Sequence, residues 1–183
     1  MPDSNITKKA LADSLKKLLK DIPFYKISIG NICEECGMNR KSFYYHFKDK
    51  YDLVNWIYFT EFISIAKEKN YNTEWDALED ICNYFYKNKS FYQKVLMIEG
   101  QNSFSSYFRE LLLPVISEYL MEIFNEDENI DFYVEFFADA IISAIVRWLL
   151  EKECIPPNKF VGLLKSCVWN TAKKVVESIP KDT

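Results

Sequence analysis

The densest set of hydrogen-bond donors in the chain lies in a short stretch near its amino end. Two phenylalanines, Phe43 and Phe47, stand four residues apart there, the spacing of one helix face, and would anchor a helix whose other face is polar. Cationic groups bind phosphates and guanine edges, and hydroxyls bind phosphate oxygens. The stretch therefore predicts a helix for the major groove of duplex DNA, with a solvated basic helix as the alternative. The donors are Arg40, Lys41, Ser42, Tyr44, Tyr45 and His46.

The residues before this stretch predict the elements that would position it. Ser28 suits the N-cap of a short helix over about 29–36, because its hydroxyl can accept from a free backbone N–H. Gly37 stands where a left-handed residue ends such a helix, and Asn39 can cap the donor helix that follows. A first helix over about 6–22 shows one apolar stripe. Together these signals predict a three-helix head with a helix-turn-helix.

The rest of the chain also has helical periodicity. After Asp49, a plausible cap, one long amphipathic helix is expected over 50–69. Pro114 predicts a kink or a division near Leu113, because proline removes a helix hydrogen bond. The sequence thus predicts an all-α fold, with a C-terminal helical bundle behind the head. Its further helices are expected at 74–88, 90–99, 104–125, 131–153 and 158–178.

Composition and charge narrow the class of protein. Of 183 residues, 49% are hydrophobic and only 4 are Gly and 6 Pro, which excludes disordered and collagen-like chains. Residues 1–50 hold ten Lys and Arg against six Asp and Glu, whereas the rest holds thirteen against twenty-one. A basic head on an acidic body favours an anionic partner at the head. No apolar run approaches the ~20 residues of a membrane span, so we expect a cytoplasmic protein without a membrane partner.

The sequence contains few residues that could form an enzyme active site or bind a metal. Cys33 and Cys36 form a CxxC, but no second CxxC follows and the one histidine is His46. We therefore interpret Cys33 and Cys36 as small buried residues. Metal binding or redox use of the two thiols is the alternative. No nucleophile motif accompanies His46, and no phosphate-loop or dinucleotide fingerprint occurs. We expect no catalytic residues and no cofactor, and the five cysteines are expected to be reduced.

The stretch "ISIGNICEECGMNRKSFYYHFKDKYDLV" resembles the TetR family of transcriptional regulators. Ser28 and Gly37 match the family's capping and turn residues, while Cys33 and Cys36 replace usual alanines and Lys41 a common glycine. Tyr44, His46, Phe47, Lys50 and Leu53 match its Tyr-x-His-Phe-x-x-Lys-x-x-Leu run. The resemblance implies phosphate contacts from Ser28, Ser42, Tyr44, His46 and Lys50, and base contacts from Asn39, Arg40, Lys41 and Tyr45.

The body is rich in aromatic residues that could line an apolar cavity between helices. A filled core is the other interpretation, and TetR-like bodies generally bind an effector between these helices. Arg147 is either an effector anchor or the partner of Glu151, four residues on, and we favour the pair. The candidate effector contacts are Phe62, Tyr84, Phe85, Tyr107, Phe108 and Arg147.

The last two predicted helices, 131–153 and 158–178, are apolar over more than one face. A two-fold pairing of this hairpin into a four-helix bundle would cover the second face, and TetR-like regulators dimerise in that way. We expect a DNA-binding head of residues 1–49 and an effector-binding, dimerising body of residues 50–183.

These expectations describe a homodimeric repressor that binds a pseudo-palindromic operator and responds to an effector. The segment "FADAIISAIVRWLLEKECIPP" is similar to a branch with activators related to dihydroxyacetone kinase regulation, in which a protein can be the effector. The alternatives are therefore an activator, or a helical protein-interaction module whose effector is another protein.

Overall fold

The computed structural model describes residues 2–98, 103–124 and 129–178, and all regular elements within these ranges are helical. The all-α prediction is confirmed. The first helices are α1 (Pro2–Asp21), α2 (Ile29–Glu35), α3 (Arg40–His46), α4 (Lys50–Tyr58) and α5 (Ser64–Ala66). They are followed by α6 (Glu74–Lys87), α7 (Lys89–Leu96), α8 (Phe104–Phe124), α9 (Ile130–Leu150) and α10 (Pro157–Ser178). The predicted helix ends at 99 and 125 lie outside the described residues.

The chain divides into two compact units, Met1–Lys69 with Asn88–Tyr107, and Asn70–Lys87 with Phe108–Thr183. The predicted head of residues 1–49 lies within the first unit. A functional boundary between residues 49 and 50 stays a prediction. In the described chain no helix is long and apolar enough to cross a membrane.

Helix α7 belongs to the first unit, and polar contacts join it to α1. The Lys94 ammonium donates to the backbone carbonyl of Leu19 and, at 2.9 Å, to that of Lys20. These carbonyls lie in the last turn of α1, where a helix lacks internal partners and attracts a cation. Lys94 therefore caps the carboxyl end of α1 from a segment 75 residues further along the chain.

The long helix predicted over 50–69 differs from the structure in one respect. Between α4 and α5 the chain forms a π-helical turn, Phe59–Ile63. Tyr58 lies just before this turn and Phe62 lies within it, and their rings stack with centroids 5.6 Å apart. This contact is local, whereas Tyr58 also meets the Phe104 ring edge-on at 5.2 Å from elsewhere in the first unit. Helical periodicity alone does not reveal the π-helical turn.

Pro114 lies inside α8, which is continuous from Phe104 to Phe124, so the chain is not divided near Leu113 and a kink there stays a prediction. Within the second unit, Arg109 of α8 pairs with Asp139 of α9 at 2.9 Å. Next to the end of α9, the Trp148 indole N–H donates to the Ile155 carbonyl at 2.9 Å, and its ring stacks on Phe160 at 4.7 Å. These contacts join α8, α9 and α10.

Candidate nucleic-acid interface

The turn between α2 and α3 has the geometry that the sequence predicts. The Ser28 hydroxyl accepts from the Asn31 N–H at 3.1 Å, and the Asn31 side chain accepts from the Ser28 N–H at 3.0 Å, a reciprocal capping box. Gly37 has φ +67°, the left-handed conformation that a side chain disfavours. The Asn39 side chain then accepts from the Ser42 N–H at 2.9 Å and starts α3. The predicted helix-turn-helix is confirmed.

Helix α3 exposes its donors on one face. Arg40 and Lys41 are exposed, and so are Tyr44 and Tyr45, each four residues further along. The tyrosine side chains are 59% and 82% exposed, far more than an aromatic ring that packs into a core. Two adjacent rows of donors therefore point to solvent from a helix that is 7 residues long. Ser42 and His46 flank these rows and are half-buried.

The opposite side of α3 is fixed in the core of the first unit. Phe43 is completely buried, and its ring centroid lies 5.7 Å from that of Phe47. The Phe47 ring in turn contacts Trp56 of α4 edge-on at 5.7 Å. The Lys8 ammonium of α1 lies over both of these rings, at 5.8 and 5.9 Å. Helices α1 and α4 thus hold the apolar side of α3 through Phe47, the residue that ends it.

Lys50 has a role that the sequence did not reveal. Its ammonium donates to the carbonyls of Phe24 and Ile27, both at 2.7 Å, and lies 4.4 Å from the Phe24 ring centroid. Burial lowers the pKa of Lys50, whereas its two carbonyl partners favour the charged form. The residue links the start of α4 to the segment between α1 and α2. The resemblance implies that Lys50 contacts a phosphate, and the third N–H of its ammonium remains for that contact.

We expect Lys50→Met to destabilise the protein by about 2 kcal/mol, because two carbonyls lose a charged donor while the aliphatic stem is kept. The control is Lys48→Met, which changes an exposed lysine in the same segment and should shift stability by less than about 0.5 kcal/mol. Urea denaturation followed by circular dichroism measures both. Equal stability of the two variants would show that the carbonyl contacts are unimportant.

The candidate effector residues are distributed over both units. In the first unit, Phe62 and Tyr107 belong to a ring cluster around the fully buried Tyr58, at 5.6 and 6.4 Å from it. In the second unit, Phe85 and Phe108 are fully buried and contact each other at 5.0 Å. Tyr84, half-buried, lies 6.1 Å from Phe85. Effector binding by these six residues stays a prediction.

Arg147 does not form the predicted ion pair. Its side chain is exposed, and among the described residues no carboxylate lies within salt-bridge distance of it. Glu151 contacts Arg147 through the backbone, with its N–H donating to the Arg147 carbonyl at 3.2 Å. The preferred pairing was therefore wrong. A role of Arg147 in effector binding stays a prediction, and its side chain lies at the surface.

The second unit also contains a small apolar cavity between α6, α8 and α9. Its volume is about 30 Å³, and its walls include Trp75, Leu78, Ile116 and Ile141. The buried Trp75 indole N–H beside it has no hydrogen-bond partner among the described residues. The space suffices for a water molecule but is far below the several hundred Å³ of a pocket for a drug-sized ligand. The space between these mostly aliphatic walls therefore resembles a packing defect in a core and not a ligand pocket.

The CxxC cysteines are packed into the head. Cys33 is buried and Cys36 half-buried, and the Cys36 thiol donates to the Ile32 carbonyl at 3.3 Å. Burial, with a smaller effect of Cys36, raises the pKa of the Cys33 thiol. A buried thiol with a raised pKa, such as that of Cys33, is a poor metal ligand or nucleophile. In the described ranges, no group of three or more His, Cys, Asp or Glu could hold a metal ion.

Comparison with known families identifies the chain. Residues 11–57 match the model for bacterial regulatory proteins of the tetR family, and residues 73–168 match a TetR model described as a transcriptional regulator C-terminal region. The chain belongs to the TetR family. It is a transcriptional regulator with a helix-turn-helix DNA-binding head. TetR-family members regulate transcription rather than catalyse reactions; they bind operators, act as dimers and respond to effectors.

Individual TetR relatives are distant in sequence and similar in fold. The HTH-type dhaKLM operon transcriptional activator DhaS of Lactococcus lactis subsp. lactis (strain IL1403) is 26% identical over 137 residues, 73% of this chain and 69% of the relative. The HTH-type transcriptional regulator SAR2658 of Staphylococcus aureus (strain MRSA252) is 22% identical over 151 residues, 78% and 80% of the two chains. A solved TetR regulator from Streptococcus agalactiae 2603V has a TM-score of 0.74 at 21% identity, covering 91% of this chain and 96% of its own. The solved structure of the dihydroxyacetone kinase operon activator DhaS has a TM-score of 0.64 at 19% identity, covering 92% of this chain and 97% of its own.

Proposed function

We propose that the chain binds a pseudo-palindromic operator as a homodimer and represses transcription until an effector binds to its C-terminal part. The observation that carries this proposal is the exposed donor face of α3, held from behind by the buried Phe43. Two such helices, related by a two-fold axis, would enter major grooves about one helical turn apart, roughly 34 to 36 Å. DNA binding also implies that the protein works in the cytoplasm.

The contacts of the head refine the proposed division between phosphates and bases. Arg40, Lys41 and Tyr45 have their donors free to face bases, and Tyr44 reaches phosphate oxygens from the same face. The Asn39 carbonyl oxygen is used by Ser42, so Asn39 would offer its amide N–H groups to a base.

The remaining predicted phosphate contacts lie at the margins of this face. Ser42 and His46 flank it as half-buried donors. The Ser28 hydroxyl is already hydrogen-bonded to Asn31, and the Lys50 ammonium already donates to the Phe24 carbonyl. Ser28 and Lys50 would therefore act mainly by holding the helices of the head in position on the DNA.

The surface of α9 supports the proposed dimer. Phe132 and Phe136 are exposed and stacked on each other, with ring centroids 6.3 Å apart. Ala140 and Ser143 continue this exposed side of α9 with small side chains that permit close helix approach. Helix α10 exposes Leu163 in the same unit. Large apolar groups that face solvent on two neighbouring helices are typical of an interaction surface.

Activation is the second candidate mode of regulation. It is favoured by the DhaS relative, which is described as an operon transcriptional activator and matches 73% of this chain. The small size of the cavity in the second unit also favours an effector that binds at the surface, as another protein would. A small-molecule effector that binds at this cavity would instead require the helices around Trp75 to move apart. Reporter transcription from the selected operator, with and without the regulator, separates repression from activation.

The proposed function is tested by selecting fragments of the native genome that bind the purified protein, followed by titration of one selected duplex at several salt concentrations. We expect Arg40→Ala to lower operator affinity by about 1 to 3 kcal/mol, that is about 5- to 150-fold, if Arg40 binds a base. Affinity of the unaltered protein should fall steeply with salt, because each neutralised phosphate releases counterions.

Lys87→Ala is the control, since it removes an exposed cation at the end of α6, outside the head. Its affinity should match that of the unaltered protein within about 2-fold. A monomer that prefers no duplex over heparin would reject the proposed function.

A further inference from the structure

Gly30, in the first turn of α2, is an unusual place for a glycine, because glycine is less favourable than alanine in a helix. Its backbone has no positive φ, so a turn does not require it. Its missing side chain instead leaves room for the side chain of Arg40 from α3. A Cβ atom on Gly30 would lie 2.6 Å from Nη2 of Arg40, and 3.3 Å from both Cζ and Nε.

The Arg40 guanidinium is therefore located by shape and not by an opposite charge. Among the described residues no carboxylate forms a salt bridge with it. It lies near enough to Cys33 of α2 to lower the pKa of that thiol, although burial outweighs this effect. Gly30, Cys33 and Arg40 line the same open concavity, of about 370 Å³, between the starts of α2 and α3. The donors of the guanidinium remain available to a ligand.

We propose that Gly30 is a positioning residue for operator recognition: it forms a seat on α2 that sets where the Arg40 guanidinium meets DNA. A side chain at residue 30 would occupy the seat and displace the guanidinium. The contacting atoms belong to the end of a flexible side chain, so the backbone of neither helix has to move. Residue 30 then determines affinity and base preference without touching a base. The proposal rests on the proposed function, since it requires Arg40 to contact the operator.

A double-mutant cycle with Gly30→Ala and Arg40→Ala tests the proposal on a duplex selected by the unaltered protein. Gly30→Ala alone should weaken binding by about 3- to 30-fold, within the range of couplings between contacting residues. In the Arg40→Ala background the same change should alter binding by less than about 2-fold. Both variants should also relax discrimination at the same base pair of the half-site, which a purely structural role of Gly30 would not produce.

Two controls separate this effect from a change in folding. The melting temperature of Gly30→Ala should be unchanged or higher, because alanine favours the helix. A second cycle, of Gly30→Ala with Lys41→Ala, should be additive, since the three atoms nearest to a Cβ at residue 30 all belong to Arg40. If Gly30→Ala lowered affinity equally in the unaltered protein and in Arg40→Ala, or in neither, the positioning role of Gly30 would be rejected and the proposed function would stand. A protein that binds no genomic duplex would reject the proposed function as well.

Discussion

Phe43→Ala should destabilise the protein by about 3 to 5 kcal/mol and abolish operator binding at physiological temperature. Phe43 is 0% exposed and joins α3 to the core of the first unit, where it contacts Phe47. Its removal leaves a cavity under a helix that is only 7 residues long and cannot be stable without packing. The expected loss is a large part of the about 5 to 15 kcal/mol that stabilises an ordinary domain. Urea denaturation and duplex titration on the same preparation measure the two effects.

Tyr45→Ala in the same helix is the matched control. Tyr45 is 82% exposed, so truncation should change stability by less than about 0.5 kcal/mol and still weaken operator binding. The pair separates the face that folds the head from the face that recognises DNA. If Phe43→Ala retained full stability, or if Tyr45→Ala were the less stable variant, the assignment of the two faces of α3 would be wrong.

Local signals explain why the helix-turn-helix could be predicted from the sequence. Ser28, Asn39 and Asp49 each cap a helix through a side chain that bonds a backbone N–H two or three residues away. Gly37 ends α2 through its own conformation. Such interactions depend on residues that are adjacent in the chain, so their pattern is visible in the sequence. The predicted bounds of α2 and α3 are accordingly close to the observed ones.

Features that depend on distant residues could not be predicted in this way. Lys50 was recognised as a family position, but its carbonyl partners lie 23 and 26 residues earlier and their orientation is set by the fold. The cap that Lys94 places on α1 is likewise tertiary, whereas the π-helical turn of Phe59–Ile63 departs from the regular α-helix that periodicity assumes. All effector candidates except Arg147 are aromatic residues at helical spacing, and this pattern does not distinguish a pocket from a core. In the structure, Phe62 and Tyr107 lie in the first unit, whereas Phe85 and Phe108 lie in the second.

Phe136→Asp should shift the protein from dimer to monomer and weaken operator binding. Phe136 is 56% exposed on α9, so the change removes little packing within the second unit. In a two-fold interface the substitution occurs twice, and each copy would bury an unpaired carboxylate against apolar groups. We expect the dimer dissociation constant to rise at least about 30-fold, which corresponds to about 2 kcal/mol for an interface hot spot. Analytical ultracentrifugation over a concentration series measures it.

Met121→Asp provides a control of the same kind, because Met121 of α8 is 50% exposed in the same unit and lies outside the exposed faces of α9 and α10. It should leave the dimer and operator binding unchanged. Half-site binding should then persist in Phe136→Asp at protein concentrations that saturate one head, since α3 and its core are untouched. A Phe136→Asp variant that remained dimeric, together with a Met121→Asp variant that dissociated, would move the interface from α9 and α10 to α8. Two-fold operator recognition would then require a different placement of the heads.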